Sequence, residues 1–123
     1  MKILVISSFI ALCYFPATLV QASDRPAHFS GKAVSDVQQA SKVFLEKNTE
    51  LANLLAGELN PTSVTAIHQL TYTLENALAL IPNTNDQIKA ALEEVHLGSE
   101  YMDYERVKRN GATYLQLAKS LTE

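Results

Sequence analysis

The stretch NPTSVTAIHQLTYTLENALALIP, residues 60–82, decides the fold. Asn60 offers a side-chain acceptor just before a helix, and Pro61 occupies the first helical position, where its missing N–H costs nothing. Val64, Ile67, Thr71, Leu74, Leu78 and Ile81 then recur at helical spacing on one face. Pro82 marks the stop, because a proline cannot continue the helical hydrogen-bond ladder. The spacing predicts an amphipathic helix over 61–81, which must bury its stripe against other helices.

The flanking sequence supplies those helices. Upstream, Ser35 with Gln38 has the form of a capping box, opening a helix over 36–56 with Val37, Ala40, Phe44, Leu51 and Leu55 as its apolar positions. Gly57 is expected to end it in the left-handed conformation. Downstream, Thr84 with Gln87 repeats the box, and Ile88, Leu92 and Val95 mark a shorter helix over 85–99. Asp103 caps a last helix over 104–121, carried by Tyr104, Val107, Tyr114, Leu115, Ala118 and Leu121. Gly111 weakens that helix by about 1 kcal/mol relative to alanine. No stretch alternates apolar and polar residues for long, and the halves do not form a tandem repeat. Short connections between helices of similar length imply antiparallel neighbours. The expectation is an all-α fold: a single antiparallel four-helix bundle, up-down-up-down, over 35–123, preceded by an extended lead-in over 23–34.

Residues 1–22 read as a signal peptide. Lys2 supplies a positive start, Ile3 to Leu12 an uncharged apolar run, and Val20-Gln21-Ala22 a cleavage site before a polar stretch. Pro16 interrupts the run, which falls short of the roughly 20 residues that span a bilayer. Leu12 before Cys13 does not suit lipidation, where a small residue precedes the cysteine. Cutting after Ala22 removes Cys13, the one cysteine of the chain, so disulfides and thiolate ligands are excluded from the mature part. The remaining hundred or so residues suffice for one core and one domain. Losing Lys2 leaves nine basic residues against 13 acidic ones, a net charge of −4. That sign argues against a nucleic-acid partner, which needs a concentrated basic face. Arg106, Lys108 and Arg109 spread around their helix, where Glu105 and Arg109 have the stabilising i, i+4 spacing.

Chemistry must then rest on histidine, whose ordinary pKa lies near neutrality. With a turn centred near Asn83, His68 falls opposite Gly98 and His96 opposite Leu70, within one helical turn of each other. Each follows a core position, Ile67 or Val95, so both sit on a flank of the stripe. Tyr72 and Glu75 lie one and two turns from His68, and Glu93 and Glu100 flank His96 at i−3 and i+4. His68, His96 and Glu93 are therefore candidate ligands of an open zinc, copper or iron site, with Tyr72, Glu75 and Glu100 as neighbours. Glu93-x-x-His96 has the spacing of carboxylate-bridged di-metal bundles, although the chain carries it once and not twice. A plainer reading makes His68 a boundary residue hydrogen-bonded to Asn48 and gives His96 a place in the same polar layer. A b-type haem is a third, without a Cys-x-x-Cys-His attachment and with Met102 as the sole mature methionine. His28 belongs to the lead-in, with Phe29 expected to pack on the bundle end, and a histidine near a terminus is a natural copper(II) ligand. No Gly-rich phosphate loop, Gly-x-Ser-x-Gly elbow or His-Glu-x-x-His is present, and Thr71 and Ser99 are assigned no nucleophilic role.

Three motifs, DRPAHF at 24–29, IHQLTYTLENAL at 67–78 and LEEVHLGSE at 92–100, resemble a family of small exported proteins of Gram-negative bacteria grouped as a domain of unknown function. The resemblance implies a periplasmic address, a compact helical fold and recurrence of His28, His68 and His96. It implies no activity. The sequence thus reads as a non-enzymatic periplasmic or secreted bundle that binds an envelope protein partner, or else a metal ion or haem through His68 and His96, with no cofactor required.

Overall fold

A computed structural model describes residues 29–122. The signal segment, Cys13 and His28 lie outside the described residues. Four α-helices and no strand occur among them: α1 Val37–Ala56, α2 Pro61–Leu78, α3 Asp86–Glu100 and α4 Tyr104–Lys119. Each packs on its neighbour in the chain, and α1 also meets α4. No helix among the described residues is long and apolar enough to cross a membrane.

Helix starts follow the strongest side-chain acceptor available. At α1 this is Asp36, one residue past the expected cap, whose Oδ1 accepts the Gln39 amide at 2.8 Å. A carboxylate outcompetes the Ser35 hydroxyl because the bond is charge-assisted. The Gln39 amide and then the Ser35 hydroxyl hold the Asp36 carboxyl below its ordinary pKa. Gln39, not Gln38, reaches back to accept from Ser35 N at 2.7 Å. At α2 the expected cap at Asn60 is joined by Ser63 into a capping box that the sequence reading did not include: Asn60 Oδ1 accepts from Thr62 N and Ser63 N at 3.0 Å, and Ser63 Oγ accepts from Asn60 N at 2.9 Å. Asn85 caps α3 in place of Thr84, accepting from Ile88 N at 3.0 Å. Asp103 caps α4 as its sequence position predicts.

Helix ends differ more from expectation. Gly57 is extended, with φ −85° and ψ −170°, and not left-handed. The link to α2 is closed by Ser63 Oγ donating to Glu58 O at 3.0 Å, so no left-handed residue is required there. The second helix stops at Leu78, three residues short of Ile81. Proline at 82 disfavours helical backbone at the residue before it, and the chain loosens into turns before reversing at Asn83, φ 63°.

The core contains Phe44, Leu51, Ile67, Leu74, Ile88, Leu92, Val95, Val107 and Tyr114, all fully buried. Val37, placed in the core by its spacing, is 49% exposed. It opens α1, directly after the Asp36 cap. Gly111 is buried because a Cβ there would lie 2.5 Å from Leu55 Cδ1, so the glycine admits Leu55 into the contact between α1 and α4. The basic trio on α4 is tied at Arg106, which makes a bidentate pair with Glu94 of α3 at 2.8 and 2.9 Å.

The lead-in forms a strap across α2. Lys32 N donates to Thr73 Oγ1 at 2.9 Å, and Asn76 Nδ2 donates to Ser30 O and Lys32 O at 3.0 and 3.1 Å. Gly31 has φ +69°, and a Cβ there would come within 2.7 Å of α2 backbone atoms at Tyr72 and Thr73. Only glycine combines that conformation with that approach.

Candidate functional site

His68 on α2 and His96 on α3 share one site. Their ring centroids lie 4.8 Å apart at an interplanar angle of 51°. Both are partly buried, because each follows a fully buried residue and so stands at the rim of the α2–α3 seam. The register is one residue away from the sequence expectation: His68 faces Ser99 and not Gly98, and His96 faces Thr71 and not Leu70. That single step exchanges two groups without side-chain donors for two hydroxyls.

The hydroxyls decide the chemistry of the rings. Thr71 Oγ1 donates to the His68 carbonyl at 2.7 Å, and Ser99 Oγ donates to the His96 carbonyl at 2.6 Å. Thr71 Oγ1 also lies 3.0 Å from His96 Nδ1, and Ser99 Oγ 3.1 Å from His68 Nδ1. A hydroxyl has one proton, already committed to a carbonyl, so each must accept from the imidazole. Both histidines therefore carry their proton on Nδ1, and Nε2 is the acceptor atom of each ring. The two halves are reciprocal: His68-x-x-Thr71 on α2 and His96-x-x-Ser99 on α3 grip one another across the seam. Thr71 and Ser99 are fully buried and are the site residues that sequence reasoning missed. Their signal was the i, i+3 pairing of histidine with a hydroxyl residue on both helices.

Tyr72 closes the cluster. Its ring meets His68 and His96 edge-on, with centroids at 5.2 and 4.7 Å, and its hydroxyl lies 3.4 Å from His68 Nε2. His68 and Tyr72 have contacts beyond these. Phe29 of the strap packs its ring edge on Tyr72 at 6.1 Å, beside the histidines and not on the end of the helices. Tyr72 is pulled into the cluster by the strap on one side and the imidazoles on the other. Burial, then the charges of Glu100 and Glu75, push its phenol pKa up.

Glu75 is the carboxylate nearest the pair. Its Oε1 lies 3.4 Å from His96 Nδ1, off the line of that N–H, and is buried without a hydrogen bond of its own. Burial and then the neighbouring Glu93 charge raise its pKa above the ordinary glutamate range. Glu93 is exposed and shares a surface recess with Glu75 and Lys89. Among the described residues it forms no ion pair with His96, and Glu75 takes the place next to the imidazole that the Glu93-x-x-His96 spacing suggested. Glu100 is exposed and reaches the cluster through its field on Tyr72. Among the described residues no three His, Cys, Asp or Glu side chains are placed together to hold a metal ion.

Asn48, the partner expected for His68, faces Tyr114 of α4 instead. Burial drives the Tyr114 phenol pKa far upward, and an attraction from Asn48 opposes it. That attraction falls short of a hydrogen bond, since Asn48 Oδ1 and Tyr114 Oη are both buried without partners.

Fold and site together define a class: a small all-helical chain whose polar centre is a pair of histidines held in one tautomer by reciprocal hydroxyls. The chain belongs to a family of unknown function (DUF6746), whose model matches residues 1–123. No curated protein and no solved structure matches it.

Proposed function

We propose that this chain is an exported, non-enzymatic binding protein of the bacterial periplasm, folded as an antiparallel up-down-up-down bundle, and that its ligand is a single late transition-metal ion held at His68 and His96. The observation that carries this reading is the hydroxyl-fixed Nδ1–H tautomer of both rings. A metal-binding histidine typically donates one ring N–H to an oxygen and ligates through the other nitrogen, and here that outer partner is in place for both. Imidazole nitrogen suits zinc, copper and iron, with copper(II) the strongest binder in a given site. Rings already in contact favour a lone ion over haem, since a macrocycle has to fit between its two axial ligands. Thr71 and Ser99 act as no nucleophile in this reading, since both are fully buried and spend their protons on carbonyls.

The test is elemental analysis of protein purified from the periplasm. Stoichiometric zinc, copper or iron is expected in the wild type and a loss in His68→Ala and His96→Ala; metal-free protein that also refuses added Zn(II) and Cu(II) would discard the reading. A second reading, an envelope protein partner, is favoured by the open groove of about 470 Å³ between α1 and α4, where Leu45 is 53% exposed beside Ala52 and Leu115. It predicts that Leu45→Asp abolishes partner capture while the histidine variants do not.

A further inference from the structure

The groove between α1 and α4 is lined by none of the histidine-site residues. Its walls are Leu45 and Ala52 of α1 and Leu115 and Ala118 of α4, and its volume is about 470 Å³. We propose that this groove binds one alkyl carboxylate, the chain lying along those apolar walls and the carboxylate held by Lys119 and the Asn48 amide. The inference is independent of the metal reading above.

Shape and size favour a small molecule over a protein. Sites for small ligands are concave, mostly apolar and roughly 300–1,000 Å³ in volume, with a few polar groups that fix orientation. A stable protein interface buries about 800 Å² on each partner. Here Leu45, 53% exposed, is the only exposed large apolar side chain among the described residues lining the groove.

The polar groups select the head of the ligand. Lys119 is the sole charged side chain among the described residues lining the groove, in a chain whose 13 acidic residues outnumber its 10 basic ones. It is exposed and forms no ion pair among the described residues. Asn48 also lines the groove and is half-buried, with its Oδ1 enclosed and without a hydrogen-bond partner. The end of the amide left to face the groove is Nδ2, a donor. The nearby end of α4 does not oppose an anion, because the carbonyls of Leu117, Ala118 and Lys119 already accept from the amides of Ser120, Leu121 and Thr122 at 3.2, 3.1 and 3.1 Å. An ammonium and an amide donor, with no acid among the lining residues, complement a group that only accepts. A carboxylate on an apolar chain matches both the donors and the walls.

The experiment titrates the exported protein, below micelle-forming concentrations, with decanoate, decanol and decyltrimethylammonium, which share a chain and differ in the charge of the head. Nitrogen-15 amide shifts read both affinity and location. Decanoate is expected to bind once per chain and most tightly and the cation least, with shifts centred on Leu45, Ala52 and Leu115 and not on His68 and His96. Lys119→Ala, a surface change, should weaken decanoate about two- to fivefold, as for an exposed ion pair, and leave decanol unchanged. Asn48→Ala should weaken decanoate by about tenfold or more, as for a hydrogen bond to a charged group; thermal unfolding checks that it keeps the fold. Equal affinity for the three heads, or folded variants that both bind decanoate as wild type does, overturns the carboxylate site. A wild type that binds none of the three overturns it as well, and capture of a protein through Leu45 would then assign the groove to that partner. Neither result bears on the histidines.

Discussion

The tautomer assignment makes a sharp prediction about Ser99. Its Oγ accepts from His68 Nδ1–H and donates to the His96 carbonyl, at a position 1% exposed. Ser99→Ala removes the hydroxyl and leaves a partly buried imidazole N–H without that acceptor. An unsatisfied buried donor costs about 1–3 kcal/mol, and in a domain of this size each kcal/mol lowers the Tm by about 4–8 °C. The expected result is a melting point lower by roughly 4–24 °C with helix content unchanged. Nitrogen-15 spectra of the metal-free protein above the histidine titration range supply the more specific readout. Wild type should show both rings protonated on Nδ1. Ser99→Ala should release His68 toward a tautomer mixture while His96, still bound to Thr71, keeps Nδ1–H. Thr71→Val should do the converse. Wild-type rings protonated on Nε2, or a Ser99→Ala protein as stable as wild type with His68 unchanged, would refute the reciprocal arrangement.

Three further outcomes follow from other parts of the molecule. Gly111→Ala gains about 1 kcal/mol of helix propensity but puts a methyl 2.5 Å from Leu55 Cδ1, the end of a side chain that must then shift, and overpacking of about 1–3 kcal/mol leaves no net stabilisation. In a Leu55→Ala background the same change should instead stabilise, so equal signs in both backgrounds, measured by urea denaturation, would contradict the packing. Tyr114→Phe removes a buried hydroxyl that has no hydrogen-bond partner and should leave stability unchanged or raise it by up to about 1 kcal/mol; a clear loss in thermal unfolding would mean the hydroxyl is bonded after all. Glu75 is raised above its ordinary pKa, so between its unfolded and folded values the native state holds more protons than the unfolded one, and stability falls as pH rises through that window. Glu75→Gln should flatten this segment of the stability–pH curve and be the more stable protein at neutral pH. An unchanged or reversed slope would show that the half-buried Glu75 carboxylate is not the cause.

How far the site was legible depended on which residues carried it. His68, His96, Tyr72 and Glu75 could be placed near one another because helical periodicity and a turn at Asn83 constrain height along the seam. Thr71 and Ser99 were not recognised because their role depends on a register one residue from the one inferred, and periodicity cannot resolve a single step in where the chain turns. Glu93 was favoured over Glu75 because spacing within one helix is visible in sequence, whereas the approach of Glu75 to His96 is made across two helices.

The amino-acid sequence by itself determined the four helices, since apolar spacing, Asn60-Pro61 and Asp103 are local signals that act within a turn or two of the chain. It left the first turns ambiguous wherever two acceptors compete, as Ser35 and Asp36 do, because the choice rests on small differences in hydrogen-bond strength. Tertiary structure alone decided that Val37 stays in water, that Gly111 admits Leu55, and that the strap lays Phe29 against Tyr72. Only there, too, was the histidine tautomer decided: a ring nitrogen has no preference written in its own chain segment, and takes its proton state from the hydroxyl that another helix brings to it.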